Sequence, residues 1–210
     1  MKKNHVFFVL IVCAFTVLTG CIDVVHHVGK NKRGITEVYW KVSIQKLVFE
    51  MAGEMSGDEM DYEDIFGITE NDMPDFLPDF VPFEFKEINN DFDFGFSLKF
   101  SAPEKLVSTL TEDNSEPLPF FPYKKDNGYS IILPPGEGIE EDEYTMAFLS
   151  SSLYELIISK SLLPRVQEVI FKASGEEYYP EIAETTDVYI VKIPFILWYM
   201  SESECEILIR

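Results

Sequence analysis

Asp91-Phe92-Asp93-Phe94-Gly95-Phe96-Ser97-Leu98-Lys99-Phe100 alternates large apolar side chains with small or charged ones over ten residues. Period-2 alternation places one set on each side of a pleated strand, so this segment reads as a half-buried strand with an aromatic face and a wet face. A second strand is spelled by Val38, Trp40, Val42 and Ile44, which alternate with Glu37, Tyr39, Lys41 and Ser43. Asn127-Gly128 separates the aromatic stretch ending at Tyr123 from Tyr129-Ser130-Ile131-Ile132-Leu133. Because Asn and Gly tolerate positive φ, that dipeptide between extended runs marks a hairpin. Val166 to Phe171 reads as a further strand, and Val188 to Trp198 with Cys205 to Ile209 reads as a closing hairpin.

Helical signals are fewer. Glu140 to Glu143 crowd a helix start, where the macrodipole favours negative charge, and Met146, Leu149, Leu153 and Ile157 recur at helical spacing until Pro164. The expected long helix therefore covers about 141–163. Ser101-Ala102-Pro103-Glu104 reads as a capping box opening a short helix, and Leu47, Met51 and Met55 suggest another. The expectation is an α+β fold: a largely antiparallel sheet of about six to seven strands, with one long helix and one or two short helices packed on it.

Ahead of this region the chain has a different grammar. Lys2 and Lys3 precede a 12-residue apolar run, Val6 to Val17, too short to span a bilayer, which takes about 20 such residues. A basic start, an apolar stretch and small residues before a cut describe a secretory signal peptide. Its ending, Leu18-Thr19-Gly20-Cys21, resembles the bacterial lipobox. The resemblance implies recognition of Leu18, Thr19 and Gly20 by the lipoprotein signal peptidase and a diacylglyceryl group on Cys21. Two or more acyl chains anchor a protein stably where one does not. Three parts follow: a signal peptide over 1–20, a lipidated cysteine and tether over 21–33, and a single domain over 34–210. The expected location is extracytoplasmic. The anchoring membrane would be the outer one in an organism with two membranes, and otherwise the cytoplasmic one, on its outer face. The order of elements in the domain also resembles, in outline, the LppM-like lipoproteins, which place a β-rich domain just after a lipobox.

All 37 acidic residues lie after Gly20 and two of the 17 basic ones before it, so cleavage leaves a net charge of about −22. Such a surface argues against nucleic acid and anionic headgroups as partners. Cys205 is the one thiol left after Cys21, so no internal disulfide is expected. His5 leaves with the signal peptide and His26 and His27 fall in the expected tether. On that division the domain holds no histidine, which would exclude Ser-His-Asp and Cys-His catalysis and a zinc site. No cofactor is expected. Asp58, Glu59, Asp61, Glu63 and Asp64 form a dense carboxylate cluster, read as a solvated acidic turn or as a site for a hard cation, with the EF-hand spacing missing.

Phenylalanine is the more distinctive resource, with eight in the 25 residues from Phe76 to Phe100. Pro74, Pro78 and Pro82 keep the first part out of a helix or a central strand. Phe76, Phe80, Phe83 and, further on, Phe120 then stand as candidates for an apolar contact surface, the alternative being that these loops fold back to plug one end of the sheet. The function expected is a non-enzymatic, lipid-anchored envelope module that binds an apolar ligand or an envelope protein. The alternatives are a carboxylate-dependent hydrolase of an envelope glycan and an acidic surface protein that binds divalent cations.

Overall fold

The computed structural model describes residues 22–47, 50, 77, 81–103, 118–136, 146 and 149–210. Of these, 56% are strand and 9% helix, so the fold is mostly β and the α+β expectation is corrected. Twelve strands form two sheets. The larger runs β10-β11-β7-β1-β2-β4-β3 and the smaller β5-β6-β12-β8-β9. In chain order the strands of the larger sheet are β1 (Ile22–Lys30), β2 (Thr36–Gln45), β3 (Phe83–Asn89), β4 (Asp93–Ala102), β7 (Leu153–Ser159), β10 (Ile182–Glu184) and β11 (Val188–Pro194). Those of the smaller are β5 (Tyr123–Lys125), β6 (Gly128–Leu133), β8 (Val169–Ala173), β9 (Glu176–Tyr178) and β12 (Cys205–Ile209).

The tether is the largest correction. Ile22–Lys30 is the middle strand of the larger sheet, antiparallel to β2 and parallel to β7. Ile22, Val24, His26 and Val28 are buried while Asp23 is exposed and Val25 and His27 are half-buried, the alternation a strand with one core face requires. Val24 and Val28 are fully buried, each worth about 1.5–3 kcal/mol of transfer free energy. Every other neighbouring pair in the two sheets is antiparallel.

The long helix over 141–163 is also overturned, because β7 occupies its second half. The segment Leu153-Tyr154-Glu155-Leu156-Ile157-Ile158 carries apolar residues at both spacings. Tyr154, Leu156 and Ile158 are at most 1% exposed, whereas Leu153, on the expected helical face, is 40% exposed. Ladders to β1 on one side and β11 on the other satisfy the backbone of β7 and decide for strand. Helical backbone ends at Ser151. The expected closing hairpin divides differently too. β11 joins the larger sheet and β12 the smaller, and the chain between them includes helix α1 (Phe195–Tyr199). The short helix expected after Ser101 falls on residues outside the described ones, while Ser101 and Ala102 themselves belong to β4.

Other strands form where the alternation placed them. β4 buries Phe94, Phe96, Leu98 and Phe100, and β2 buries Val38, Trp40, Val42 and Ile44 beside them. The turn at Asp126-Asn127 joins β5 to β6. The apolar faces of both sheets supply one buried cluster. Cys205 lies within it, fully buried.

Gly95 fixes how closely β4 lies on β2. Its φ is 148°, and a Cβ there would sit 2.1 Å from the Val42 carbonyl oxygen. Gly34, in the β1–β2 turn, has φ 76° and open space around it. Gly34→Ala should therefore cost about 1 kcal/mol from backbone strain alone. Gly95→Ala should cost at least twice as much, because β4 must also shift away from β2. Urea denaturation of the two variants measures the difference.

Candidate functional site: the two faces of the first strand

Because side chains alternate along β1, His26 and His27 point to opposite faces of the sheet. His26 points inward and is fully buried. Its Nδ1 is hydrogen-bonded to the Tyr154 hydroxyl across the β1–β7 pair. Its ring lies edge-on to Phe120, with centroids 6.2 Å apart. Phe120 in turn stacks on Trp40 at 4.2 Å and meets Trp198 at 6.0 Å. Trp198, in α1, donates its indole N–H to the Pro134 carbonyl at 2.8 Å. Phe120 holds a φ of 61°, strained by about 1–2 kcal/mol for a non-glycine residue. Its ring, sandwiched between Trp40 and Trp198, and its N–H, donated to the Ile132 carbonyl at 2.9 Å, hold it there. His26, Trp40 and Tyr154 of the larger sheet thus meet Phe120 and Trp198 in an aromatic cluster with a histidine in its middle.

Two ring nitrogens in that cluster, His26 Nε2 and Trp40 Nε1, are buried without a hydrogen-bond partner. They belong to residues directly opposite one another on β1 and β2. Burial pushes the His26 imidazole down to about 3, with the Phe120 backbone opposing that shift and His27 adding slightly to it. At neutral pH the ring is uncharged. Burial likewise raises the Tyr154 hydroxyl well above its ordinary range, so neither member of the pair is ionised.

On the outer face, a cleft of about 320 Å³ is lined by His27, Lys30, Glu37, Tyr39, Lys99, Ser159 and Ser161. It lies toward the Lys30 end of β1, where Gly29 pairs with Glu37 and His27 with Tyr39. His27 is half-buried and its Nε2 has no hydrogen-bond partner. Burial lowers its imidazole and the Glu37 carboxylate partly offsets that. Lys30 reaches the Tyr129 hydroxyl at 3.1 Å and its N–H donates to Ser161 Oγ at 2.9 Å. Ser159 and Ser161 hydroxyls bond each other at 2.8 Å, and Glu37 accepts from the Asn31 amide at 3.1 Å. No hydrogen bond joins His27 to either serine among the described residues. One lysine with its ammonium on this face, Lys99, one carboxylate and several hydroxyls suit non-covalent capture of a small polar group.

The sequence-derived candidates fare unequally. Phe120 is core, not contact surface, and with it the adjacent Phe121 is fully buried. Phe83 starts the edge strand β3 and is 37% exposed. Phe76 and Phe80 lie outside the described residues, but Leu77 and Val81 beside them are buried in the core. Leu18, Thr19, Gly20 and Cys21 also lie outside, as do Asp58, Glu59, Asp61, Glu63 and Asp64. Among the described residues no three metal-ligating side chains gather, and no helix is long and apolar enough to cross a membrane. Both histidines were missed as fold residues. The signal that would have found them is the β-branched run Val24, Val25 and Val28 around them. Comparison with protein-family models, curated proteins and solved structures gives no match in any of the three.

His26 makes stability depend on pH. In the unfolded chain its ordinary value is 6.5, while in the fold it is about 3, so between those values only the unfolded state takes up the proton. The stabilisation is complete above pH 6.5 and is lost as pH falls toward 3, at up to about 1.4 kcal/mol per unit. Between pH 7.5 and 5 the native chain should lose about 2 kcal/mol more than His26→Gln, which cannot titrate. Urea midpoints at the two pH values measure this; equal losses in the two proteins would show that His26 is not buried neutral.

Proposed function

We propose that this chain is a lipid-anchored envelope protein, cut after Gly20 and acylated on Cys21, whose β-rich body is a non-enzymatic binding or interaction module. The observation that carries the reading is the sequence itself: a basic start at Lys2 and Lys3, a 12-residue apolar run, and Leu18-Thr19-Gly20-Cys21 at its end. The proposed location is extracytoplasmic, on the outer membrane where there are two and on the outer face of the cytoplasmic membrane otherwise.

The binding part of the reading draws on surface features. Phe83 on the edge strand, and Leu47, Phe92 and Leu153 at the strand ends, are exposed apolar groups of the kind that meet another apolar surface. The glycan-hydrolase reading needs two carboxylates facing each other across a cleft, and the cleft on the outer face carries one, Glu37.

Cys21→Ala tests the anchor. Expressed in a bacterium, the native chain should fractionate with membranes and carry an acyl mass increase on a mature N-terminus at Cys21. The variant should accumulate as the uncut precursor or appear in the soluble fraction. A native chain with Met1 intact and no added mass would refute the proposal.

A further inference from the structure

The end of the larger sheet at which β1 begins carries large apolar side chains that face solvent. Leu153 opens β7 opposite Asp23 and is 40% exposed. Leu47 lies two residues past Gln45, the end of β2, and is 56% exposed. Phe92 comes just before β4 and is 77% exposed. Register gathers them. Ile22 lies opposite Ile44, Gln45 opposite Asp93, and the Lys46 N–H donates to the Phe92 carbonyl at 2.8 Å. Their strands, β7-β1-β2-β4, are consecutive in the sheet. At about 4.8 Å between strands, the three side chains share a rim roughly 15 Å wide.

Cys21 is one peptide bond from Ile22, in the middle of this rim. Consecutive Cα atoms are about 3.8 Å apart, so acyl chains on Cys21 would be held at this end of the sheet. A flexible tether would let the body tumble, but β1 is paired on both sides from its first turns of chain: Ile22 with Ile44, and Asp23 with both Ser43 and Leu153. We propose that Leu47, Phe92 and Leu153 form the membrane contact of the anchored protein, resting in the interfacial layer of the bilayer with the larger sheet standing on its Ile22 end. This rests on acylation of Cys21. Asp91 and Asp93 flank Phe92 and the chain is strongly acidic, so the fitting surface is zwitterionic rather than anionic.

The orientation has a functional consequence. β1 is nine residues long, which puts its Lys30 end about 27 Å from its start. The cleft around His27, Lys30 and Lys99 lies toward that far end, so it is lifted off the membrane and presented to the envelope space.

Quenching by brominated lipid tests the orientation. The full chain, expressed in a bacterium and purified from its membranes, is reconstituted in phosphatidylcholine vesicles with brominated acyl chains, as Phe92→Trp and, separately, as Lys32→Trp. Both positions are exposed, Lys32 lies in the β1–β2 turn, and the unaltered protein gives the background from Trp40 and Trp198. The added fluorescence of Phe92→Trp should be quenched at least threefold more than that of Lys32→Trp, with mass spectrometry of the same samples showing acylated Cys21. Acylated protein in which Lys32→Trp is quenched as strongly overturns the orientation alone. Protein without acyl mass overturns the anchoring reading, and the orientation with it.

Discussion

Everything in this molecule leans on β1 being paired along both edges. Its antiparallel ladder to β2 and its parallel ladder to β7 bring together segments more than a hundred residues apart in the chain. Those two ladders seat Trp40 and Tyr154 on either side of His26, and the aromatic cluster that roofs them, Phe120 and Trp198, comes from chain leading into the smaller sheet and from α1. Without β1 the larger sheet would split into a β2-β4-β3 piece and a β7-β11-β10 piece, each with an open edge.

The strands legible from sequence were those in which one periodicity had no rival. β4 alternates Phe or Leu with Asp, Gly, Ser or Lys, and β2 alternates in the same way, so their inner faces could be listed residue by residue. β7 was not legible, because its apolar residues satisfy both period 2 and the helical spacing; only the ladders to β1 and β11 choose between them, and those lie far away in sequence. β1 was hidden differently. The pair His26-His27 and the nearby Lys30, Lys32 and Arg33 read as a solvated linker, yet one histidine of the pair turns inward to a tyrosine and the other outward to the cleft. Phe195 to Trp198 reads in sequence as continued strand, but Pro194 ends the pairing with Leu153 and the next N–H is donated to the Ser152 carbonyl at 3.0 Å.

The candidate site was the least legible part, for a related reason. Aromatic residues in a proline-punctuated segment read either as a contact surface or as a plug on the sheet, and for Phe120 the structure takes the second: a strained backbone turns its ring into the core, where Trp40 and Trp198 hold it. The cleft is assembled from β1, β2, β4, the end of β7 and the turn after it, segments that span more than a hundred residues of chain, so no local motif announces it. The apolar rim is similar. Leu47, Phe92 and Leu153 become neighbours only through register, and their exposure bears on the proposed anchor because Cys21 directly precedes the strand between them.

Hydrogen exchange on the folded protein tests the central role of β1 most directly. Amides of Val24 to Val28 should exchange only through global unfolding, with protection equal to that of β4 amides such as Phe96 and Leu98, because β1 cannot open without parting both halves of the sheet. Exchange of Val24 to Val28 within seconds at neutral pH, as in a solvated linker, while β4 stays protected, would contradict the account.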